Sequence, residues 1–212
     1  MNKDIVILTK SRKDNGYCVA GLDIKTGKWV RLVSDDKGGA ILSLHAQYQN
    51  TPELCKPLDV VSADIVEEVP YKNHTEDCHI NIMTMNKHGV MPLAEVVSLH
   101  PPEEHEYIFG NGSTYLTEDE MQRHNFGYSL IFVRVKNLTV HVRKNSSKAD
   151  FEHNGTYYQG MSITDPEYSA EFTGGLTYSA GLGSGYLVVS MATKPYRSKR
   201  LYYKFIAKIF PS

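Results

Sequence analysis

Short runs of alternating apolar and polar residues, separated by turn residues, mark the opening of the chain. Residues 4–9, 16–24 and 29–34 combine β-branched and aromatic side chains with period-two spacing, and Gly16 and Lys25-Thr26-Gly27-Lys28 stand at the breaks. The pattern predicts a three-stranded meander. Residues 38–57 are irregular. Over residues 58–69 the alternation returns, Val60, Ser62 and Asp64 against Val61, Ala63 and Ile65, until the adjacent Ile65-Val66 leaves the buried side open. Residues 71–112 are polar, with a helix expected over 92–100 because proline suits a first helical turn. Thr117-Glu-Asp-Glu120 predicts a short helix ending near Asn125, since a threonine cap and a glutamate three residues on satisfy two free amides reciprocally.

Beyond Phe126-Gly127, strands are expected over 128–135 and 138–143 around Lys136-Asn137. A further pair follows over 151–155 and 157–164. The Asn154-Gly155 between them favours a tight hairpin, because both central residues of such a turn have positive φ. A glycine-rich loop over 174–185 then leads to strands over 186–192 and 201–210. No βαβ alternation and no short fixed repeat is visible, which disfavours a doubly wound sheet, a solenoid or a propeller. The expectation is an all-β fold with minor helix, as two small β-barrels packed together, one over residues 1–125 with an irregular and partly helical insert and one over 126–212.

Composition changes this picture little. The 212 residues, 41% hydrophobic and 22% charged, suit a chain that folds throughout. The opening residues have neither a signal-peptide pattern nor a membrane span. Three widely spaced cysteines, Cys18, Cys55 and Cys78, fit neither a disulfide framework nor a four-ligand zinc site, so a reducing cytoplasm is the expected setting. Charge is more informative than its total of −1. Residues 1–125 carry 12 Lys and Arg against 19 Asp and Glu, a net of −7, whereas residues 126–212 carry 11 against 5, a net of +6. Such a split can align the halves or confine an anionic ligand to one face.

Candidate chemistry lies in the basic and aromatic segments. Thr9-Lys10-Ser11-Arg12-Lys13 follows the first strand, and its hydroxyls and cations can meet several phosphate oxygens; it also reads as a solvated strand-end loop. Trp29 and Arg31, two apart on a strand, share a face on which a base can stack, although a lone tryptophan is commonly a core anchor. The segment from Lys194 to Lys204 interleaves cations with Tyr196, Tyr202 and Tyr203, the composition of a single-stranded nucleic-acid track and equally of a charged hairpin tip. Ser162-Ile-Thr-Asp-Pro166 reads first as a turn in which Asp165 accepts local amides, and second as a metal or ribose contact. Of the nine histidines, His74, His79, His88, His100 and His105 lie in polar segments without ligand spacing. There is no phosphate-loop pattern, nucleophile elbow or zinc-protease helix, and Gly181-Leu-Gly-Ser-Gly185 reads as a flexible connection.

Val6-Ile-Leu-Thr-Lys-Ser-Arg-Lys13, Gly16-Tyr-Cys-Val-Ala-Gly21 and Gly27-Lys-Trp-Val-Arg-Leu-Val-Ser34 resemble the opening signature of the bacterial dual OB-containing domain family. Gly160-Met-Ser-Ile-Thr-Asp-Pro166, Val188-Val-Ser-Met191 and Tyr203-Lys-Phe-Ile-Ala207 are similar to its second-half signature. The resemblance implies two OB-like barrels and a nucleic-acid- or nucleotide-binding role in mobile-element or phage-defence settings. Carried residue by residue, it points to Thr9, Lys10, Ser11, Arg12, Trp29, Arg31, Ser34, Thr164, Asp165, Ser190 and Lys204 as ligand-facing positions. It supplies no catalytic residue, cofactor or metal. The acidic first half departs from the basic character of tightly binding OB modules.

Three functions follow as expectations. The first is a noncatalytic module that holds single-stranded nucleic acid or a nucleotide between its halves, with no membrane partner. The second is an assembly module whose acidic half docks on a basic protein partner. The third is a hydrolase that acts on nucleic acid through Asp165 and a metal.

Overall fold

The computed structural model describes residues 1–212 apart from residues 14, 36, 145, 170–173 and 197–198. The chain divides into two units, Met1–Pro101 and Pro102–Ser212.

In the first unit, β1 (Asn2–Lys13), β2 (Gly16–Asp23) and β3 (Trp29–Val33) form the expected meander. A short helix, α1 (Ser43–Ala46), leads to β4 (Asp59–Glu68), β5 (Asp77–Ile80), β6 (Asn86–Val90) and α2 (Leu93–Leu99). The pairing runs β1–β2–β3–β5–β4 and returns to β1, with β3 and β5 parallel and the other contacts antiparallel. This closes a five-stranded barrel of the OB kind, with β6 as an outer strand on β4. Ile5, Ile7, Val19, Val30, Leu32, Val61, Ala63 and Ile65 fill it, so β4 buries the odd-numbered side of its alternation. Closure brings backbones close at Gly21, where a Cβ would stand 2.0 Å from the Val6 carbonyl oxygen.

The second unit repeats the same plan. β7 (Tyr115–Thr117) and α3 (Glu118–His124) precede β8 (Leu130–Arg143), β9 (Ser146–His153), β10 (Thr156–Ile163), β11 (Tyr178–Met191) and β12 (Leu201–Pro211). The ring runs β8–β9–β10–β12–β11 and back to β8, again with the third and fifth strands parallel, and β7 extends it from β12. Val133, Val140, Phe151, Tyr158, Met161, Leu187 and Ile206 lie in its core. Both helix expectations hold, α3 with Thr117 and Glu120 in a capping box and Asn125 left-handed at its end. Asn154 (φ 46°) and Gly155 (φ 79°) make the expected hairpin turn.

Several expectations change. The boundary between the units lies at residues 101 and 102 rather than 125 and 126, because β7 pairs with β12 and Ile108, Phe109 and Leu116 enter the second core. The polar stretch 71–112 contains β5 and β6; β5 is short, and its Cys78 and Ile80 still reach the first core. Lys136-Asn137 does not end a strand. β8 runs through it with a register shift and Asn137 at φ 52°. The glycine-rich 181–185 segment is likewise strand, its glycines absorbing shifts against β8.

Candidate functional site

In a ring of this order the second, third and fifth strands form one continuous outer wall, and each unit has one. Direct partners on neighbouring strands point to the same side of a sheet, so register identifies the side chains of each wall.

On the first wall Ala20, Arg31 and Asp77 form one row across β2, β3 and β5. Arg31 is buried; its Nε donates to Asp77 Oδ1 at 2.6 Å, its Nη2 also meets that oxygen, and Nη1 lies 3.8 Å from Glu76 Oε1. Burial, opposed by the Arg31 charge, pushes the Asp77 carboxyl up to about 6. Trp29 is half-buried, edge-on to His100 with ring centroids 5.7 Å apart, and the His100 ring is fixed by its Nδ1 at 2.9 Å from the Gly27 carbonyl oxygen. This wall is therefore occupied by its own ion pair. Arg31, expected to face a ligand, pairs with Asp77, a partner the sequence hides 46 residues away.

The segment read as a phosphate-gripping loop is the end of β1. The register shift between Ile7 and Thr9 sets Thr9 on the side of its partner Ala20, in the row of Arg31 and Asp77, with Ser11 on the same side, and both are buried. Lys10 lies with Nζ 5.6 Å from the Tyr17 ring centroid, and desolvation lowers its pKa. Lys13 donates to the Gly38 carbonyl at 2.7 Å and Ser34 to the Ala40 carbonyl at 2.9 Å, so both hold the loop after β3. Arg12 is exposed.

The second wall is open. Lys148 on β9, Ser162 on β10 and Phe205 on β12 form one row, and Ser190 on β11 stands opposite Phe205 on its other side. Two residues before Phe205, Tyr203 faces the same way and is the direct partner of Tyr115 on β7, the two rings 6.0 Å apart. Tyr196, in the β11–β12 connection, meets Tyr203 edge-on at 6.1 Å. Tyr203 and Phe205 are half-buried, whereas Tyr115 is 37% and Tyr196 60% exposed. The exposed Lys148 ends the row that holds Phe205. Arg143 and Lys144 are exposed at the β8–β9 turn, and Lys194, Lys199 and Arg200 are exposed beside Tyr196, Arg200 with Glu118 at 2.9 Å. Arg197 of the same cluster lies outside the described residues.

Of the second-half positions, Ser190 alone borders this wall, facing the same way as its partner Phe205 from the adjoining β11. Lys204 is between two wall residues and points inward, wholly buried. Its Nζ donates to the carbonyl oxygens of Ile108 and Asn111 and to Asn111 Oδ1, the last two at 2.9 and 2.7 Å, and lies 5.8 Å from the Tyr158 ring centroid. Desolvation brings its pKa down to about 7, while three oxygen acceptors match the three donors of an ammonium. Thr164 is tied to the Ile206 carbonyl. Asp165 is buried, 3.2 Å from Lys208 Nζ, and accepts from the amides of Glu167 and Ile209, so its carboxylate is engaged in holding the chain. Sequence reasoning missed Tyr115, Lys148 and Phe205. Only strand register brings them together, although the Lys194–Lys204 composition pointed to Tyr196 and Tyr203.

Among the described residues no group of His, Cys, Asp and Glu can hold a metal ion, and no helix is long and apolar enough to cross a membrane. The model of one protein family, described as a dual OB-containing domain, matches residues 3–209. No curated protein and no solved structure matches the chain.

Proposed function

From the premise that the chain belongs to the dual OB-containing domain family, and is thus a binding module in the general sense, we propose that it binds single-stranded nucleic acid along the outer wall of its second barrel. The reading rests on one observation: Tyr115, Tyr203 and Phe205 form a continuous, partly exposed aromatic strip, with Lys148 in the row of Phe205 and the Lys194, Tyr196, Lys199 and Arg200 segment reaching Tyr203 through Tyr196. Aromatic faces in series stack successive bases, and flanking cations hold the phosphates between them. A series of platforms favours a polymer over a single nucleotide. The Ser162 and Ser190 hydroxyls flank Phe205, within the same row, as donors to sugar or phosphate. The first barrel, its wall filled by Arg31 and Asp77, serves as scaffold in this reading. A mobile-element or defence setting in a bacterial cytoplasm accords with the family resemblance and is part of the same proposal.

Titration of labelled single-stranded DNA and RNA at two salt concentrations tests this. Binding is expected to weaken steeply with salt, and Tyr203→Ala is expected to weaken it by about 5- to 150-fold, the range for removal of one base stack. Equal affinity of the parent and the Tyr115→Ala/Tyr203→Ala variant, or no binding of either polymer at micromolar protein, would overturn the reading.

A further inference from the structure

On the flank of the second barrel, β8, β9 and β11 place His141, Asp150 and Ser179 side by side. Ser179 and His141 are direct cross-strand partners, with Ser179 Oγ 2.9 Å from His141 Nδ1. On the other side of the ring, His141 Nε2 is 3.1 Å from Asp150 Oδ2. The Asp150 carboxylate is itself oriented, because Oδ1 accepts from the Gly160 amide at 2.7 Å. A carboxylate can only accept, so the neutral imidazole carries its proton on Nε2 and presents a lone pair at Nδ1 to the serine hydroxyl. Arg143 completes the chain of donors. Its Nη2 is 3.4 Å from Ser179 Oγ, and Nη1 is anchored on the Val142 and Tyr178 carbonyls at 3.1 and 3.2 Å.

Hydroxyl, imidazole and carboxylate within hydrogen-bond reach, the base oriented by a third group, constitute the arrangement of an activated nucleophile. It is built here on regular strands, which hold side chains more rigidly than loops do. Ser179 is exposed and His141 is 31% exposed, so a small reactant reaches both.

We propose that Ser179 is a base-activated nucleophile that accepts acyl groups from small esters. As Oγ bonds to the ester carbonyl carbon, its proton passes to His141 Nδ1, and Asp150 stabilises the resulting imidazolium through Nε2–H. The negative charge that develops on the carbonyl oxygen has Arg143 as its nearest fixed cation. Collapse breaks the bond to the alcohol, which leaves with the proton from His141. Water then gives a proton to His141 and attacks the acyl-serine, and Ser179 Oγ takes that proton back. The balance is ester plus water to acid plus alcohol. Acyl transfer fits this set because charge develops on a single oxygen, which one guanidinium can meet.

The test uses the full chain with a fluorophosphonate probe and p-nitrophenyl acetate, adducts being located by peptide mass mapping. One adduct on Ser179 is expected, absent in Ser179→Ala. His141→Gln is expected to label at least about 100-fold more slowly, within the usual range of general-base effects, and Asp150→Asn more slowly than the parent by a smaller factor. Thermal melts of these surface variants are expected to match the parent. No adduct, an adduct elsewhere that persists in Ser179→Ala, or unchanged labelling in His141→Gln would overturn the proposal. Nucleic-acid affinity plays no part in these readouts, so the two proposals stand or fall separately.

Discussion

Arg31 on β3 and Asp77 on β5 are register partners on parallel strands, and Arg31 Nε donates to Asp77 Oδ1 at 2.6 Å with both side chains shut off from solvent. The pair spans the wall that would otherwise receive a ligand. Truncating one member leaves the other charge buried. Arg31→Ala is therefore expected to cost about 3–5 kcal/mol in urea denaturation, whereas Arg31→Met with Asp77→Leu restores most of it. Nucleic-acid affinity of the double variant should equal that of the parent. A specific loss of affinity in a stable double variant would return Arg31 to the binding surface.

Lys204 provides a pH signature. Its pKa is about 7 when folded and near 10.5 when unfolded, so between those values the unfolded chain binds the extra proton. The sign follows: Lys204 contributes most stability above about pH 10.5 and loses that contribution as pH falls toward 7, with no further change below. Measured as the difference between parent and Lys204→Met, stability should rise from pH 7 to 10 by at most about 1.4 kcal/mol per unit. A flat difference would mean that the oxygen cage keeps the ammonium charged throughout.

At Thr117 and Glu120 the capping box holds the Glu120 carboxyl down to about 2, through the Thr117 amide first and then the Asn111 and Thr117 side chains. A depressed carboxyl contributes stability above its unfolded pKa and loses it as pH falls through the folded one. Thermal melts from pH 5 to 2 should show a loss in the parent that Glu120→Gln lacks. Thr117→Ala is expected to cost about 0.5–2 kcal/mol at neutral pH.

On the open wall, salt separates phosphate neutralisation from stacking. Replacing Lys148 and Lys194 by alanine should reduce the slope of log affinity against log salt by about 0.7 for each phosphate of a single strand that is no longer neutralised. Tyr203→Ala should leave that slope unchanged while lowering affinity. Tyr115 and Tyr203 touch, so their combined effect should differ from the sum.

Much of the fold was legible. The meander of β1 to β3, the α3 cap and the Asn154-Gly155 hairpin depend on interactions between near neighbours, and their residue types carry that information. β5 was not legible, because four residues of mixed polarity become a strand only through β3 and β4 on either side. Of the site, the basic and aromatic composition near Tyr196 and Tyr203 was visible, whereas Tyr115 is paired with Tyr203 from a distant part of the chain.

Local alternation and turn chemistry thus determined that this chain makes short strands in two successive barrels. Which charged residues face water was decided by the closed rings alone. A strand's two sides are equivalent until neighbours on both edges give one of them a core, and register shifts such as those at Ile7/Thr9 and Val188/Val189 reset the parity between. Closure therefore put Lys204 inside and Tyr203 outside, and set His141 beside Ser179.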